Sequence, residues 1–427
     1  MLGVLLAVVV SGLVARSSQL GWDYLEPACA TAVCDDAGAS IDALSHGDLT
    51  EFFASQPSMG SFSLLVRTPP AMVANLVDGH DLTVYRSGVF ICVLAAGLLA
   101  LFLAAAMIRA GRPWTLWALL AAACVVNPLT LQASYWGHPE EVLGAVLAVG
   151  AVLAAGRRRW LVAGLMLGAA LATKQWAALA AIPVLIAAPA GTRLRLALTC
   201  AALAAALTLP MLAGDPGRFH AAQDNVSLKS SYANTVTATN LWWRFASRSA
   251  GEKLDVYGQE RHGAQFSLPD GVGRGLHLGV IGVAVLLSLL YARRREGGSP
   301  DDLLQLVALL LLLRCMLDPL TFSYHHAPFL VALISFEALR RRVPLLSAWS
   351  IAALLTMSSL VVPTANPALI NSFYLAWTIP LAGAMALSLY APRTAARSLG
   401  ALAGGRSGRG TRARGRLHSA ARGRGGA

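Results

Sequence analysis

Charge is scarce in this 427-residue chain: 13% of its residues are Asp, Glu, Lys or Arg, whereas 56% are hydrophobic. An ordinary water-soluble domain carries about 25% charged residues, so this composition excludes one. Lysine is almost missing, with three against 31 arginines. An isolated Lys beside an apolar run is therefore not what the composition favours. The six cysteines are too few, in a chain this long, for a disulfide framework. There is no phosphate-cradling P-loop, dinucleotide fingerprint, nucleophile elbow or zinc-site spacing, which argues against soluble-donor chemistry and calls for no cofactor. The net charge of +12 comes mainly from arginines in short turns and in the Gly/Arg/Ala-rich end. Anionic lipid headgroups suit that distribution, and nucleic acid does not.

What is abundant is apolar runs near the ~20 residues that cross a bilayer. Expected spans are 1–15, 88–108, 114–133, 141–156, 160–173, 175–190, 194–213, 272–292, 302–320, 326–339, 343–362 and 371–391. The fold class is thus an all-α polytopic membrane protein, a bundle of about twelve transmembrane helices. Basic clusters at Arg109/Arg112, Arg157-Arg158-Arg159, Arg193/Arg195, Arg293-Arg294-Arg295, Arg340-Arg341-Arg342 and beyond Arg393 all fall on one side of that arrangement. Short cytoplasmic loops carry the excess of Lys and Arg. Both termini are therefore expected in the cytoplasm of a multi-pass cell-membrane protein, with two long extracytoplasmic loops at about 16–87 and 214–271. Residues 1–392 form one domain, and 393–427 a disordered basic tail. Segment 1–15 lacks a basic n-region and a small-residue cleavage site, so it reads as an anchoring helix and not as a signal peptide.

The first long loop holds Asp35-Asp36 just outside span one, then Ala37–Leu44, which reads as a turn or two of helix that Gly47 can end at positive φ. Asp48-Leu49-Thr50-Glu51-Phe52-Phe53 follows. The apolar stretches Phe62–Val66 and Ala71–Val77 suit an amphipathic helix lying in the interface, with Phe52 and Phe53 as anchors. Cys29 and Cys34 lie beside the acidic pair, where a local disulfide is one reading in an oxidising exterior. Cys92, Cys124, Cys200 and Cys315 lie within spans and read as small buried residues.

Asp35-Asp36, the helix leading to Gly47, Gln56-Pro57, Asn127-Pro128, Tyr135-Trp136-Gly137-His138-Pro139-Glu140-Glu141 and Gly164-x3-Gly168 with Lys174 together resemble the GT-C superfamily of integral-membrane glycosyltransferases. Within it, the chain is similar to the polyprenyl-phosphate-sugar-dependent, mannosyltransferase-like branch, glycosyltransferase family 87. The likeness extends over residues 16–330. It implies an inverting, metal-independent enzyme that moves mannose or another sugar from a polyprenyl-phosphate donor to a hydroxyl of an envelope glycolipid or glycan at the outer face.

That chemistry needs a carboxylate to take the acceptor's proton, which Asp36, Asp35 or Asp48 would supply. It also needs donors for the departing phosphate, for which Lys174, His325 and His326 are placed. Lys174 can equally be a snorkelling anchor beside Trp176. Trp136, His138 and Glu140, in a short outside turn, suit sugar or acceptor binding, or a solvated turn. Trp242-Trp243 divides between an acceptor platform and an interface anchor. His325-His326 are adjacent on a turn and do not converge on a metal without other ligands. Arg314 and Asp318, four apart on one helical face, are expected to form a structural ion pair. The rival classes are a secondary transporter or glycolipid flippase, and a non-catalytic envelope-assembly scaffold. A transporter would carry related halves and midplane polar groups, neither of which is visible here.

Overall fold

The computed structural model describes residues 2–18, 37–57, 60–226, 234–249, 254–255, 260–261, 265–269, 271–294, 299–340, 344–360 and 366–391. Asp35, Asp36, Cys29, Cys34 and the basic tail lie outside these described residues.

Helix α1 (Leu2–Ser17) is followed by three helices of the first long loop, α2 (Gly38–His46), α3 (Leu49–Ala54) and α4 (Ser61–Val77). The bundle continues with α5 (Asp81–Arg109), α6 (Trp114–Val125), α7 (Pro128–Tyr135), α8 (Glu140–Gly156) and α9 (Trp160–Leu171). A 3-10 turn at Gln175–Ala180 leads into α10 (Ala181–Ala187), then α11 (Arg193–Gly214) and α12 (Pro216–Val226). After the second long loop come α13 (Val272–Arg294), α14 (Pro300–Leu317), α15 (Ala327–Arg340), α16 (Leu345–Leu360) and α17 (Pro367–Tyr390). Each expected span therefore coincides with helix. By length and composition, five helical segments among the described residues are apolar enough to cross a membrane: 81–109, 114–135, 190–214, 272–294 and 367–390.

Two expected spans are interrupted. Residues 114–133 break at Asn127, whose carboxamide oxygen accepts from the backbone of Leu129 at 3.0 Å and Thr130 at 2.9 Å and so starts α7 afresh, with Pro128 at its first position. Residues 175–190 open as a 3-10 turn because Lys174 is extended, at φ −150° and ψ 133°, and ends the preceding helical path.

Helices α8, α14 and α15 are buried almost all round and form the centre. The peripheral α11 and α13 turn Leu194, Leu198, Leu209, Leu278, Ile281 and Leu286 outward. A helix that is apolar on its outward face as well as its inward one fits lipid and not water. Between helices in lipid the hydrophobic effect contributes little, so close packing must hold them together. Gly164 and Gly168 supply it: a Cβ on either would stand 2.8 Å from the Leu196 carbonyl oxygen or 2.7 Å from that of Cys200, so α9 meets α11 backbone to backbone.

The first loop folds as expected over 37–47, with Gly47 at φ 77° accepting the end of α2. Its small core joins Ala37, Ile41, Ala43, Phe52, Leu64 and Ala71 to Met211 of α11. Phe52 and Phe53 are consequently not exposed anchors. Phe52 is buried, and Phe53 packs against Gly214. Gln56 fixes the same junction by donating to the Met211 carbonyl at 2.9 Å. Helix α4 is continuous through Pro69-Pro70. It buries Leu64, Arg67, Ala71 and Ala74 while leaving Leu65, Met72, Val73, Leu76 and Val77 exposed.

The two ends of the bundle differ in chemistry. At one, Arg157 lies over Phe102 at 4.5 Å, Arg340 pairs with Asp302, and Arg294 donates to the Tyr390 carbonyl. At the other end stand the first residues of α8 and α15 and the last of α9 and α14.

Candidate functional site

Four segments converge at that second end. The α7–α8 turn is closed by Gly137 at φ 81°, a left-handed conformation that glycine adopts without cost. It allows the His138 N–H to donate to the Ala133 carbonyl at 2.8 Å and delivers Glu140 and Glu141 to the first turn of α8. Carboxylates are favoured there by the helix dipole. Both are buried, Glu140 completely.

Basic side chains surround them. Lys174 Nζ lies 2.8 Å from Glu140 Oε1 and 3.5 Å from Glu141 Oε1. His138 Nδ1 stands 3.2 Å from Glu140 Oε1, and Arg67 Nη1 of α4 lies 3.9 Å from Glu140 Oε2. Burial alone would raise the Glu140 carboxyl, but Lys174, His138 and Arg67 outweigh it and hold the group well below the usual carboxylate range. Room for Arg67 comes from Gly88, where a Cβ would sit 2.6 Å from Arg67 Nε. Glu141 Oε2 accepts from the Trp176 indole at 2.8 Å, and the Arg314 guanidinium carbon lies 5.9 Å from the centre of the Trp176 ring.

The Phe322–His326 turn closes the site. The Tyr324 ring stacks on His138 at 4.8 Å and meets His325 edge-on at 4.6 Å. His325 Nδ1 accepts from the Phe322 N–H at 3.3 Å, which assigns its proton to Nε2. Burial, followed by Arg314, His138, Lys174 and His326, pushes the His325 pKa well below its ordinary value, so the ring is neutral. A neutral ring with Nε2–H offers one hydrogen-bond donor.

Several expectations change in detail. Lys174 is no bare anchor, since two carboxylates hold it. His138 and Glu140 belong to a buried network and not to a solvated turn, and Trp136 is half-buried against Tyr135 at 5.7 Å. His326 has both nitrogens engaged, Nδ1 with the Ser323 carbonyl at 3.1 Å and Nε2 with the Tyr374 hydroxyl at 3.0 Å, so it has no donor left for a phosphate. Asp48 is exposed and caps α3, accepting from the Glu51 N–H at 2.9 Å. The Arg314–Asp318 ion pair is not formed. Helix α14 ends at Leu317, and Asp318 turns away at ψ 121° to meet His277 Nδ1 at 3.5 Å.

The second long loop is fastened beside this site. Thr237 and Thr239 both donate to the Thr321 carbonyl at 2.8 Å, Asn240 donates to the Asp318 carbonyl, and Trp242 Nε1 donates to the Leu317 carbonyl at 2.8 Å. Trp243 lies 5.1 Å from Phe266. Trp242-Trp243 are thereby fixed over the end of α14, with Arg244 donating to Asn371 at 3.1 Å.

Glu141 falls in the same outside turn as His138 and Glu140, whereas Arg67 and Trp176 do not stand out as site residues in the sequence. Arg67 was legible in principle, because it falls on the same stripe as Leu64, Ala71 and Ala74.

The model of glycosyltransferase family 87 matches residues 62–319, more than half of the chain, from the start of α4 to just past Asp318. No curated protein gives a significant match to the chain.

Proposed function

The chain belongs to glycosyltransferase family 87, and from that premise we propose that it moves a sugar, mannose or a related hexose or pentose, from a polyprenyl-phosphate donor to an envelope glycolipid or glycan hydroxyl. The observation that carries the reading is the buried meeting of Arg67, His138 and Lys174 with Glu140 and Glu141, between the two long loops and beside the donor Nε2–H of His325. Hydrogen-bond donors and cations held in place before a substrate arrives suit a phosphate at the headgroup plane.

In this proposal Asp36, or Asp35 beside it, accepts the proton of the acceptor hydroxyl. The freed oxygen attacks the anomeric carbon from the face opposite the phosphate. The bond from that carbon to the phosphate oxygen breaks, and the electron pair leaves with the polyprenyl phosphate. One inversion results. Lys174 and His325 Nε2–H face the charge that accumulates on the leaving oxygen, where preorganised donors lower the barrier. Trp136, Trp242 and Trp243 offer aromatic faces to sugar rings. The Arg-rich end would lie in the cytoplasm, which puts the site on the outer face.

The experiment is transfer from labelled polyprenyl-phosphate sugars to candidate glycolipids by the purified full chain in lipid nanodiscs. Transfer with inversion supports the reading. Transfer only from a nucleotide sugar would overturn the donor class.

A further inference from the structure

Arg314 is set apart from the other cations of the site. Lys174 is neutralised by two carboxylates, and Arg67 faces Glu140. The Arg314 guanidinium makes no hydrogen bond or ion pair among the described residues, and its Nη1 is buried without a partner. The nearby carboxylates are already spent. Asp318 meets His277, and Glu141 accepts from Trp176 and Lys174. The remaining contact of Arg314 is the Trp176 face at 5.9 Å, the outer limit of a cation–π distance. A buried N–H left unsatisfied is unfavourable, and an arginine fork matches two oxygens of one phosphate.

We infer that Arg314 is the residue that recognises the anionic phosphate of the lipid substrate, positioned by the strut that runs from Glu141 through the Trp176 indole. This rests on the donor class proposed above and assigns its charge recognition to a residue whose i,i+4 spacing points to a structural pair. Lys174 and His325 Nε2–H then answer the charge that builds on the leaving oxygen during transfer, while Arg314 makes the contact that distinguishes a bound phosphate from an alcohol.

The test is equilibrium binding of radiolabelled polyprenyl phosphate, and of the matching uncharged polyprenol, to the full chain in nanodiscs, with free inorganic phosphate as competitor. The parent should prefer the phosphate lipid by about tenfold or more. Free phosphate should compete weakly, because it lacks the lipid chain. Arg314→Gln should abolish the preference while polyprenol binding stays at the parental level, and Arg314→Lys should keep part of it. Trp176→Phe, which removes the indole donor but keeps an aromatic face, should reduce the preference and leave polyprenol binding unchanged. An Arg314→Gln protein that retains the full preference would overturn the assignment and leave the donor class standing. A parent without any preference would overturn both. Should Arg314→Gln fail to fold, phenylglyoxal labelling of the parent decides: polyprenyl phosphate, but not polyprenol, should protect Arg314, and equal labelling would sink the inference.

Discussion

Lys174 Nζ lies 2.8 Å from Glu140 Oε1, and this contact joins the turn after α9 to the first residue of α8 inside the bundle. The pair makes Lys174 a structural member of the site as well as an electrostatic one. Lys174→Met would take the closest cation from a carboxylate that is fully buried, leaving it to His138 and the more distant Arg67. Breaking one side of such a pair costs about 3–5 kcal/mol, so the variant should lose stability together with transfer activity. The double variant Lys174→Met/Glu140→Gln should recover most of the stability and none of the activity. Thermal unfolding in detergent, run as a double-mutant cycle, reads the coupling. Additive effects would show that the two side chains do not depend on each other.

Gly88 gives an independent way to move Arg67 without changing any charge. Its missing Cβ leaves the 2.6 Å space that Arg67 Nε occupies. Gly88→Val should displace the guanidinium from Glu140 and reduce turnover, whereas the same change at Gly275, where a Cβ would meet nothing within 4 Å, should be far milder. Equal activity in both variants would detach Arg67 from the site.

Much of this architecture is legible in the sequence, because hydrophobic runs, glycine at positive φ and the Gly164-x3-Gly168 spacing are local signals. The helix at 38–46 ending on Gly47 follows directly from them, and the Gly164-x3-Gly168 spacing proves to mark where α9 meets α11. The charge pairing is not local. Glu141 and Trp176 are 35 residues apart, and their contact exists only once α8 and α9 pack. Arg314 and Asp318 show the converse hazard: an i,i+4 argument requires the helix to continue, and α14 stops between them.

His325 predicts a pH dependence of stability. Its folded-state pKa lies well below the ordinary value of ~6.5, chiefly through burial. Between those two values the unfolded chain binds the extra proton, so stability is fully present above about pH 6.5 and is lost as pH falls toward the folded value. Glu140, also depressed, acts in the same direction at lower pH: its contribution is present above its ordinary carboxylate pKa of ~4.3 and lost below it. Thermal unfolding between pH 8 and pH 5 should show a fall that His325→Gln flattens. An unchanged slope in that variant would assign the dependence to other groups.

Orientation is tested by thiol accessibility in intact cells after the native cysteines are replaced. The Asp42 side chain is 63% exposed on the first loop. A cysteine at Asp42 should react with an impermeant reagent, and one at Gly404 should not. The reverse pattern would turn the bundle over and place the site in the cytoplasm.

The last prediction concerns the base. Asp48 is an exposed cap of α3, and asparagine caps a helix about as well as aspartate, so Asp48→Asn should leave both fold and turnover near the parent. Asp36 and Asp35 precede Ala37, which is completely buried in the core that joins the first loop to α11. Asp36→Asn keeps the volume and most hydrogen bonding but cannot take the acceptor's proton, so transfer should drop by ~10²–10⁴-fold while binding of polyprenyl phosphate survives. Asp35→Asn should have the smaller effect. Single-turnover transfer measured beside lipid binding separates the chemical step from substrate affinity. If both variants retain parental turnover and Asp48→Asn abolishes it, the base belongs further along the loop. Retained turnover in all three, and in Glu51→Gln, would remove general-base catalysis from the first loop altogether.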